Sequence, residues 1–260
     1  MLTLVGDGDD AQLPRGNSIL SEALAVPFAI RDPLRAVRRP PDPFALLDTA
    51  LDACRINEQT YAIAGSLTAS VQGAKVDDWL VRSLAVVPSN NMRAFARRGG
   101  RIIFAESFLG AAESDLAEQR RGRPLDPGVR RAYVEFDQDA EHIFGVYDQE
   151  FDALVFTGKA MPLNHERVIV HEFGHAMTVP DWYRVAHQHP DLLLDLPRQI
   201  KDLLTAYPQG PEREAVRERV LEVLADAYVW MLVGRWDELP VRLRVVMQDV
   251  IAGQALRRAG

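Results

Sequence analysis

The sequence predicts an α+β fold in which a small mixed sheet is followed by a mainly helical C-terminal half. Short apolar runs rich in β-branched residues lie between residues 84 and 158, and nearly everything from residue 164 onward has helical character. The chain has 260 residues, of which 47% are hydrophobic and 26% charged, so it has enough apolar material for a sizeable core. This composition argues against a disordered, fibrous or repeat protein.

The N-terminal residues 1–58 are the least regular part of the chain. A start rich in Gly and Asp is followed by a short apolar run at 23–30 and then by RDPLRAVRRPPDPF, whose prolines break helices and favour extended backbone. We interpret this region as a Pro-rich extension, which is either a strap over the main domain or a linker. Residues 59–260 are then the main domain.

The middle of the chain is predicted to supply the sheet. LAVVP at 84–88 and RIIFA at 101–105 have the composition of strands, and NNMRAFARRGG between them contains a helix that ends at the Gly-Gly pair. After the polar stretch 113–128, the segments AYVEF, HIFGVY and ALVFTG predict three more strands. The segment YDQEFD predicts a hairpin turn between the last two.

Charge and composition also exclude several partners. With 30 basic and 37 acidic residues, the net charge of −7 gives no electrostatic reason to expect binding to nucleic acid or to anionic lipid. No segment approaches the ~20 apolar residues of a membrane span, and the start MLTLVGDGDD lacks a signal-peptide pattern. The single cysteine, Cys54, cannot form an internal disulfide. We therefore expect a protein that is cytoplasmic or is exported without a classical signal peptide.

The strongest chemical signal is VIVHEFGHAM, in which His171, Glu172 and His175 form an H-E-x-x-H motif. Asn164 is a candidate N-cap and Pro180 a candidate stop, so the motif is predicted to lie within one helix. Two histidines four residues apart share a helix face and can bind one metal ion, and Glu172 can take a proton from a metal-bound water. The apolar flanks predict burial, which costs several kcal/mol for polar groups that have no partners.

A catalytic zinc site needs a third protein ligand, and the segment VLEVLADAYVWMLVG offers one. Glu222 and Asp226 lie one turn apart on a helix that is otherwise apolar on every side, so their carboxylates need a cation or donors. Glu222 as a ligand and Asp226 as the acceptor for a histidine ring N–H would satisfy both. The alternative is pairing with arginines such as Arg213, Arg217 or Arg235.

Asp181 is the alternative third ligand. The segment HEFGHAMTVPD resembles the compact H-E-x-x-H-x-x-G-x-x-H/D pattern of metzincins, but Thr178 occupies the position of the glycine. That glycine permits a turn with positive φ, which a β-branched residue resists. No Met-turn follows soon after. His187, in the polar segment AHQHP, is expected to be solvated or to contact substrate rather than to bind a metal.

HEFGHA, followed 47 positions after His175 by EVLADAYVWM, resembles the catalytic domain of anthrax toxin lethal factor and its relatives, a gluzincin-type zinc metallopeptidase family. That family carries H-E-F-G-H-A and then E-x-x-A-E-A-F-x-x-M at a similar distance. The resemblance covers about residues 164–235. It implies a zincin-like metallopeptidase fold with the active-site helix between the sheet and the C-terminal helices.

The same resemblance implies His171, His175 and Glu222 as zinc ligands and Glu172 as the general base. Asp226 stands where the family has Glu, which still allows it to orient a histidine.

One departure from the family pattern concerns stabilisation of the oxyanion. The family places a tyrosine one to two turns before the third ligand, and the corresponding segment REAVRER has none. Tyr207, Tyr183 and His187 are the candidates to replace it.

We therefore expect a zinc-dependent endopeptidase, for example a bacterial toxin, effector or processing enzyme, that acts on a peptide or protein substrate. Its base would be Glu172, acting on a metal-activated water. The first alternative is a catalytically impaired zinc-binding regulatory or interaction protein on the same fold, and the second is a structural protein without metal. A substrate would lie extended along FDALVFT at 151–157, unless this segment is a buried core strand. The N-terminal strap would cover the cleft, and the oligomeric state stays open.

Overall fold

The computed structural model describes residues 28–29, 57–71, 73–76, 78–114, 116–117, 123–139, 143–157, 165–188 and 213–256. Within them the fold is α+β, as predicted, with a small mixed sheet and several helices. The strands are β1 (Phe28–Ala29), β2 (Thr68–Ser70), β3 (Arg101–Ala105), β4 (Gly145–Asp148) and β5 (Ala153–Thr157). The helices are α1 (Glu58–Leu67), α2 (Asp78–Ser83), α3 (Ser89–Arg97), α4 (Phe108–Glu113), α5 (Pro127–Gln138), α6 (His165–Gln188), α7 (Arg213–Leu232) and α8 (Val241–Leu256), with 3-10 turns at Leu84–Val86 and Trp236–Glu238.

The strands form one sheet in the order β1-β4-β5-β3-β2. Strands β2, β3 and β5 are parallel, whereas β4 is antiparallel to both β5 and β1. The predicted turn YDQEFD is confirmed, because residues 149–152 connect β4 to β5 as a hairpin. Asp148 shapes this turn by accepting hydrogen bonds from the backbone N–H groups of Glu150 and Phe151.

Strand β5 lies in the interior of the sheet. It pairs with β3 on one side and with β4 on the other, and all five of its residues are buried. The predicted substrate edge at Phe151–Thr157 is therefore wrong, and the alternative of a buried core strand is confirmed. The physical reason is that both rows of backbone groups of β5 are already used within the sheet.

The segment AYVEF is helical rather than a strand, so that prediction is wrong. It lies inside α5, which begins where Asp126 accepts hydrogen bonds from the backbone N–H groups of Gly128 and Val129, with Pro127 in the first turn. Val129 and Tyr133 are buried four residues apart on one face of this helix. Helix capping and helical spacing outweigh the strand propensity of a five-residue run.

The predicted strand LAVVP is also wrong, because its first three residues form the 3-10 turn after α2. The parallel strand-helix-strand unit exists, but Thr68–Ser70 supplies its first strand. Leu84 and Val87 are fully buried in the core. A short apolar run is compatible with a buried helical turn as well as with a strand, and periodicity alone does not separate the two.

Helix α3 and its glycine stop agree with the prediction. The helix ends at Arg97, and Gly99 adopts a φ of +84°, which a side chain disfavours. A Cβ on Gly100 would come within 2.5 Å of the Phe95 ring, so the chain turns tightly beneath that ring. This turn fixes the start of β3 and the position of Arg98, which precedes it.

The sheet separates two hydrophobic clusters. Ile102, Phe104, Leu154 and Phe156 face a large cluster that includes α6, α7 and α8, as does Tyr147 of β4. The alternate residues of the same strands face a smaller cluster with α4 and α5, as expected for the two-residue period of a strand. The predicted helical character after residue 164 is confirmed in the described residues. None of the described helices is long and apolar enough to cross a membrane.

The structure describes only a few residues of the N-terminal extension. Phe28 and Ala29 form β1, which pairs antiparallel with Tyr147 and Val146 of β4. The rest of the region up to residue 56 lies outside the described residues, so the choice between strap and linker stays a prediction.

Candidate metal centre

The candidate site lies where helices α6 and α7 pack against each other. Gly174 makes this close approach possible, because a Cβ at that position would lie 2.8 Å from the carbonyl oxygen of Ala225 on α7. A glycine costs about 1 kcal/mol in a helix interior compared with alanine. The close packing gives a reason for glycine here, and it brings the polar residues of the two helices together.

Three side chains from the two helices converge. The Nε2 atoms of His171 and His175 are 3.2 Å apart, and Glu222 places one carboxylate oxygen 3.2 Å from His171 Nε2 and the other 3.4 Å from His175 Nε2. Potential ligand atoms of the three residues lie within 4.8 Å of one another, so the group could hold a metal ion. The sequence prediction of which residues would meet here agrees with this geometry.

Asp226 lies behind the first histidine. Its Oδ1 atom is 2.7 Å from His171 Nδ1, and because a carboxylate accepts hydrogen bonds, the ring donates from Nδ1. The lone pair of the neutral ring is then on Nε2, the atom that faces His175 and Glu222. A carboxylate that fixes the tautomer of a ligating histidine in this way is a common feature of metal sites.

The electrostatics of the three residues depend on one another. Burial alone would lower the pKa of His171, but hydrogen bonding and charge from Asp226 and Glu222 outweigh it and raise that pKa to about 10. Burial would raise the pKa of Glu222, yet His175 and His171 lower it to about 2. Burial lowers the pKa of His175. Around neutral pH the Glu222 carboxylate and the His175 imidazole are therefore already in the forms that bind metals, whereas a metal ion must displace one proton from His171.

Glu172 is buried next to these three residues but does not share their hydrogen bonds. Neither carboxylate oxygen has a hydrogen-bond partner among the described residues. Burial, opposed by His171 and reinforced by Glu222, raises the pKa of Glu172 to about 8. The backbone N–H of Tyr147 favours the charged form, although it does not reach full hydrogen-bond geometry.

Strand β4 lies directly over Glu172. A Cβ on Gly145 would come within 3.0 Å of Glu172 Cγ and 2.7 Å of the Phe156 ring, so the glycine leaves space for the carboxyl group between helix and strand. Gly145 was not among the residues predicted for the site. The signal was a glycine inside the predicted strand HIFGVY, which typically marks a close approach.

The alternative ligand Asp181 is not near this group. It follows His175 by six residues, which rotates it about 240° around the helix axis. Its Oδ1 atom instead lies 3.3 Å from Nε of Arg184, and its side chain is fully buried. Of the arginines named as alternative partners for the carboxylates on α7, Arg235 instead pairs with Glu238, and the side chains of Arg213 and Arg217 lie outside the described residues.

The predicted helix boundaries around the motif are partly wrong. Helix α6 continues through Pro180 to Gln188, although Pro180 was expected to end it. The candidate cap Asn164 lies outside the described residues. The carbonyl oxygen of Ala176, which Pro180 leaves without its helical donor, accepts a hydrogen bond from Arg98.

Of the three candidates for oxyanion stabilisation, the structure describes the side chain of His187 alone, and it lies far from the site. His187 is exposed in the last turn of α6, 12 residues beyond His175, which is about 18 Å along a helix. Tyr207 lies outside the described residues, and so does the side chain of Tyr183. The roles predicted for these tyrosines stay predictions.

Comparisons with known proteins give no family assignment. No protein-family model matches the chain, and no curated protein matches it significantly. The resemblance to the lethal factor family stays a prediction, and the functional argument rests on the residues of the site.

Proposed function

We propose that this protein is a zinc-dependent endopeptidase with a zincin-like fold, the function that the resemblance implies. The observation that carries the proposal is the convergence of His171, His175 and Glu222 within 4.8 Å. Their placement follows from the close packing of two buried helices, and not from flexible surface side chains.

The donor set and its spacing favour zinc. Two imidazole nitrogens and one carboxylate oxygen are ligands that zinc accepts, whereas calcium and magnesium prefer oxygen alone. Ligand atoms of a tetrahedral zinc ion, at about 2.05 Å from the metal, are about 3.3 Å from one another. Here the two Nε2 atoms are 3.2 Å apart, one oxygen of Glu222 is 3.2 Å from His171 Nε2, and the other oxygen is 3.4 Å from His175 Nε2. With one ligand atom taken from each residue, all three atoms lie within 4.8 Å of one another. Three protein ligands leave the fourth position for water, as catalytic sites require.

When bound, zinc supplies Lewis acidity toward the scissile carbonyl and toward the attacking water. Glu172 takes a proton from that water while the water oxygen attacks the carbonyl carbon. The carboxyl group of Glu172 then transfers this proton to the departing amine as the C–N bond breaks. Without metal, burial raises the pKa of Glu172 to about 8, and the positive charge of a bound zinc ion would lower this pKa and favour the carboxylate that accepts the proton. Asp226 keeps His171 in the ligating tautomer.

Since β5 is interior, a substrate peptide would add to a different strand. We infer that β4 becomes that strand when β1 leaves it, because β4 packs over Glu172 through Gly145 and, among the described residues, its far side is paired by the two residues of β1 alone. An extended peptide on this edge would gain backbone hydrogen bonds, and side-chain pockets would supply selectivity.

The second candidate is a zinc-binding protein with impaired hydrolysis. The segment REAVRER favours it, because no tyrosine stands where the resemblance implies an oxyanion-stabilising group. Glu172 opposes it. Burying an ionisable group without a hydrogen-bond partner is costly, and such groups are typical of functional sites.

The test of the proposal is peptide hydrolysis by wild-type protein and by Glu172→Gln, each with its zinc content measured. We expect Glu172→Gln to keep zinc and to lose hydrolysis by a factor of about 10² to 10⁴, the usual contribution of a general base. Glu135→Gln, at an exposed position on α5, is the matched control and should behave as wild type.

A zinc-bound wild type that hydrolyses no peptide in a broad peptide library would favour the second candidate. Equal hydrolysis by wild type and Glu172→Gln would refute the role of Glu172.

A further inference from the structure

A proline interrupts the hydrogen bonding of the helix that carries the motif. Pro180 lies inside α6, which runs on to Gln188. Since proline has no N–H, the carbonyl oxygen four residues earlier, that of Ala176, loses its usual helical donor. Ala176 immediately follows His175, so the gap is at the turn that carries a candidate ligand.

Arg98 supplies the missing donor from outside the helix. Its Nη2 atom donates to the carbonyl oxygen of Ala176 at 2.7 Å. The guanidinium also stacks over the Phe95 ring, with Cζ 5.8 Å from the ring centroid, and Phe95 packs edge-on against Phe173 of the motif. Arg98 therefore contacts α6 directly through this hydrogen bond, and indirectly through the Phe95 ring that packs between Arg98 and Phe173.

A second set of contacts fixes the guanidinium. Arg98 binds Asp152 with two hydrogen bonds, Nε to Oδ2 at 2.6 Å and Nη2 to Oδ1 at 3.1 Å. The hydroxyl of Tyr147 also donates to Asp152 Oδ1 at 2.9 Å. Asp152 is in the β4–β5 turn with a φ of +49°, and its carbonyl oxygen accepts from the N–H of Arg101 at the start of β3. The guanidinium is thus held in one orientation.

We propose that Arg98 is a positioning residue for the metal centre. Its guanidinium replaces the hydrogen bond that Pro180 cannot make, and it joins the turn of α6 after His175 to the hairpin whose first strand packs over Glu172. The metal-centre part of this proposal rests on the proposed function, whereas the repair of the helix hydrogen bond does not.

A purely structural ion pair is the competing explanation, and it predicts a different result. An ion pair with Asp152 would contribute the same amount whatever residue occupies position 180. Under our proposal, the effect of removing Arg98 depends on Pro180, because an alanine there restores an N–H to the carbonyl of Ala176.

The experiment is a double-mutant cycle of Arg98→Met, Pro180→Ala and the combined variant. Zinc affinity is measured by competition with a chelator, and stability by urea unfolding of the zinc-free proteins. We expect Arg98→Met to weaken zinc binding about tenfold to a hundredfold, as loss of an outer positioning contact does. Pro180→Ala alone should bind zinc as wild type does, and the combined variant should recover most of the loss. Arg131→Met, which removes an exposed pair with Glu135, is the matched control and should change nothing.

Equal losses in Arg98→Met and in the combined variant would overturn the proposal, and so would a loss of stability with unchanged zinc affinity. If Arg98→Met does not fold, Arg98→Lys replaces it in the cycle, because lysine keeps the charge but cannot serve both acceptors from one planar fork. If wild type binds no zinc, the proposed function fails, while recovery of stability by Pro180→Ala still decides whether Arg98 repairs the helix.

Discussion

A buried carboxyl group lies on each face of strand β4, and the two groups differ in their hydrogen bonding. On one face, Glu172 has no hydrogen-bond partner among the described residues. On the other, Asp148 accepts hydrogen bonds from the Tyr133 hydroxyl and from the backbone N–H groups of Glu150 and Phe151. Burial raises the pKa of both, to about 8 for Glu172 and to about 6 for Asp148.

The comparison separates a carboxyl group that supports the fold from one that is available for chemistry. Asp148 has its oxygens engaged and shapes a turn, so its environment explains its presence. Glu172 gains nothing of this kind, and it lies close enough to His171 and Glu222 for their charges to shift its pKa. Buried polar groups that lack partners are the ones that call for a functional explanation.

The largest expected effect on stability concerns Asp148. Its pKa is about 6 in the folded protein against 3.8 ordinarily, so the folded state binds the proton more tightly than the unfolded state. Its contribution to stability is therefore present at low pH and is lost as the pH rises from about 4 through about 6, by about 3 kcal/mol for a shift of about two pH units.

The measurement is urea unfolding of wild type and Asp148→Asn across this range. The difference in unfolding free energy between the two proteins should change by about that amount between pH 3.5 and pH 7.5, because Asn does not titrate. If this difference stayed constant with pH, titration of Asp148 would not contribute to the pH dependence of stability.

The next effect concerns the close packing of α6 against α7 at Gly174. In Gly174→Ala the new Cβ would lie 2.8 Å from the backbone oxygen of Ala225, so α7 must move away from α6. We expect a loss of about 1–3 kcal/mol in unfolding free energy, as for overpacked cores, together with weaker zinc binding. Gly65→Ala is the matched control, since a Cβ there meets nothing within 4 Å. That variant should be as stable as wild type or more so, by about 0.5–1 kcal/mol.

The smallest expected effect concerns the outer edge of β4. If Phe28 and Ala29 occupy the edge that a substrate needs, removal of residues 1–56 should raise peptide hydrolysis by a factor of about two to ten, because more molecules then have a free edge. Zinc content should stay the same. Unchanged hydrolysis would refute the predicted restraint by the N-terminal strap.

Sequence reasoning was most successful where chemistry and spacing act within one element. The H-E-x-x-H motif places His171 and His175 on one helix face, and the carboxylates of α7 stand out because the rest of that helix is apolar. Strand β3, the β4–β5 turn and the end of α3 were likewise predicted from local signals.

The errors arose where distant residues decide the structure. Pro180 does not end α6, and the carbonyl that it frees accepts a hydrogen bond from Arg98, 82 positions earlier in the chain. Whether β5 is an edge or an interior strand depends on which strands pair with it, and no local pattern encodes that. The error at AYVEF has a different origin, because the local helix-start signal of Asp126 and Pro127 lies just before that segment and was missed.

The central claim is that Glu222 completes a zinc site with His171 and His175. The most direct test is zinc content, by elemental analysis, of wild type beside Glu222→Ala and Asp181→Ala, with folding checked by circular dichroism. We expect one zinc ion per chain in wild type and in Asp181→Ala, and loss of zinc from folded Glu222→Ala. Zinc lost only from Asp181→Ala, or absent from the wild type, would contradict it.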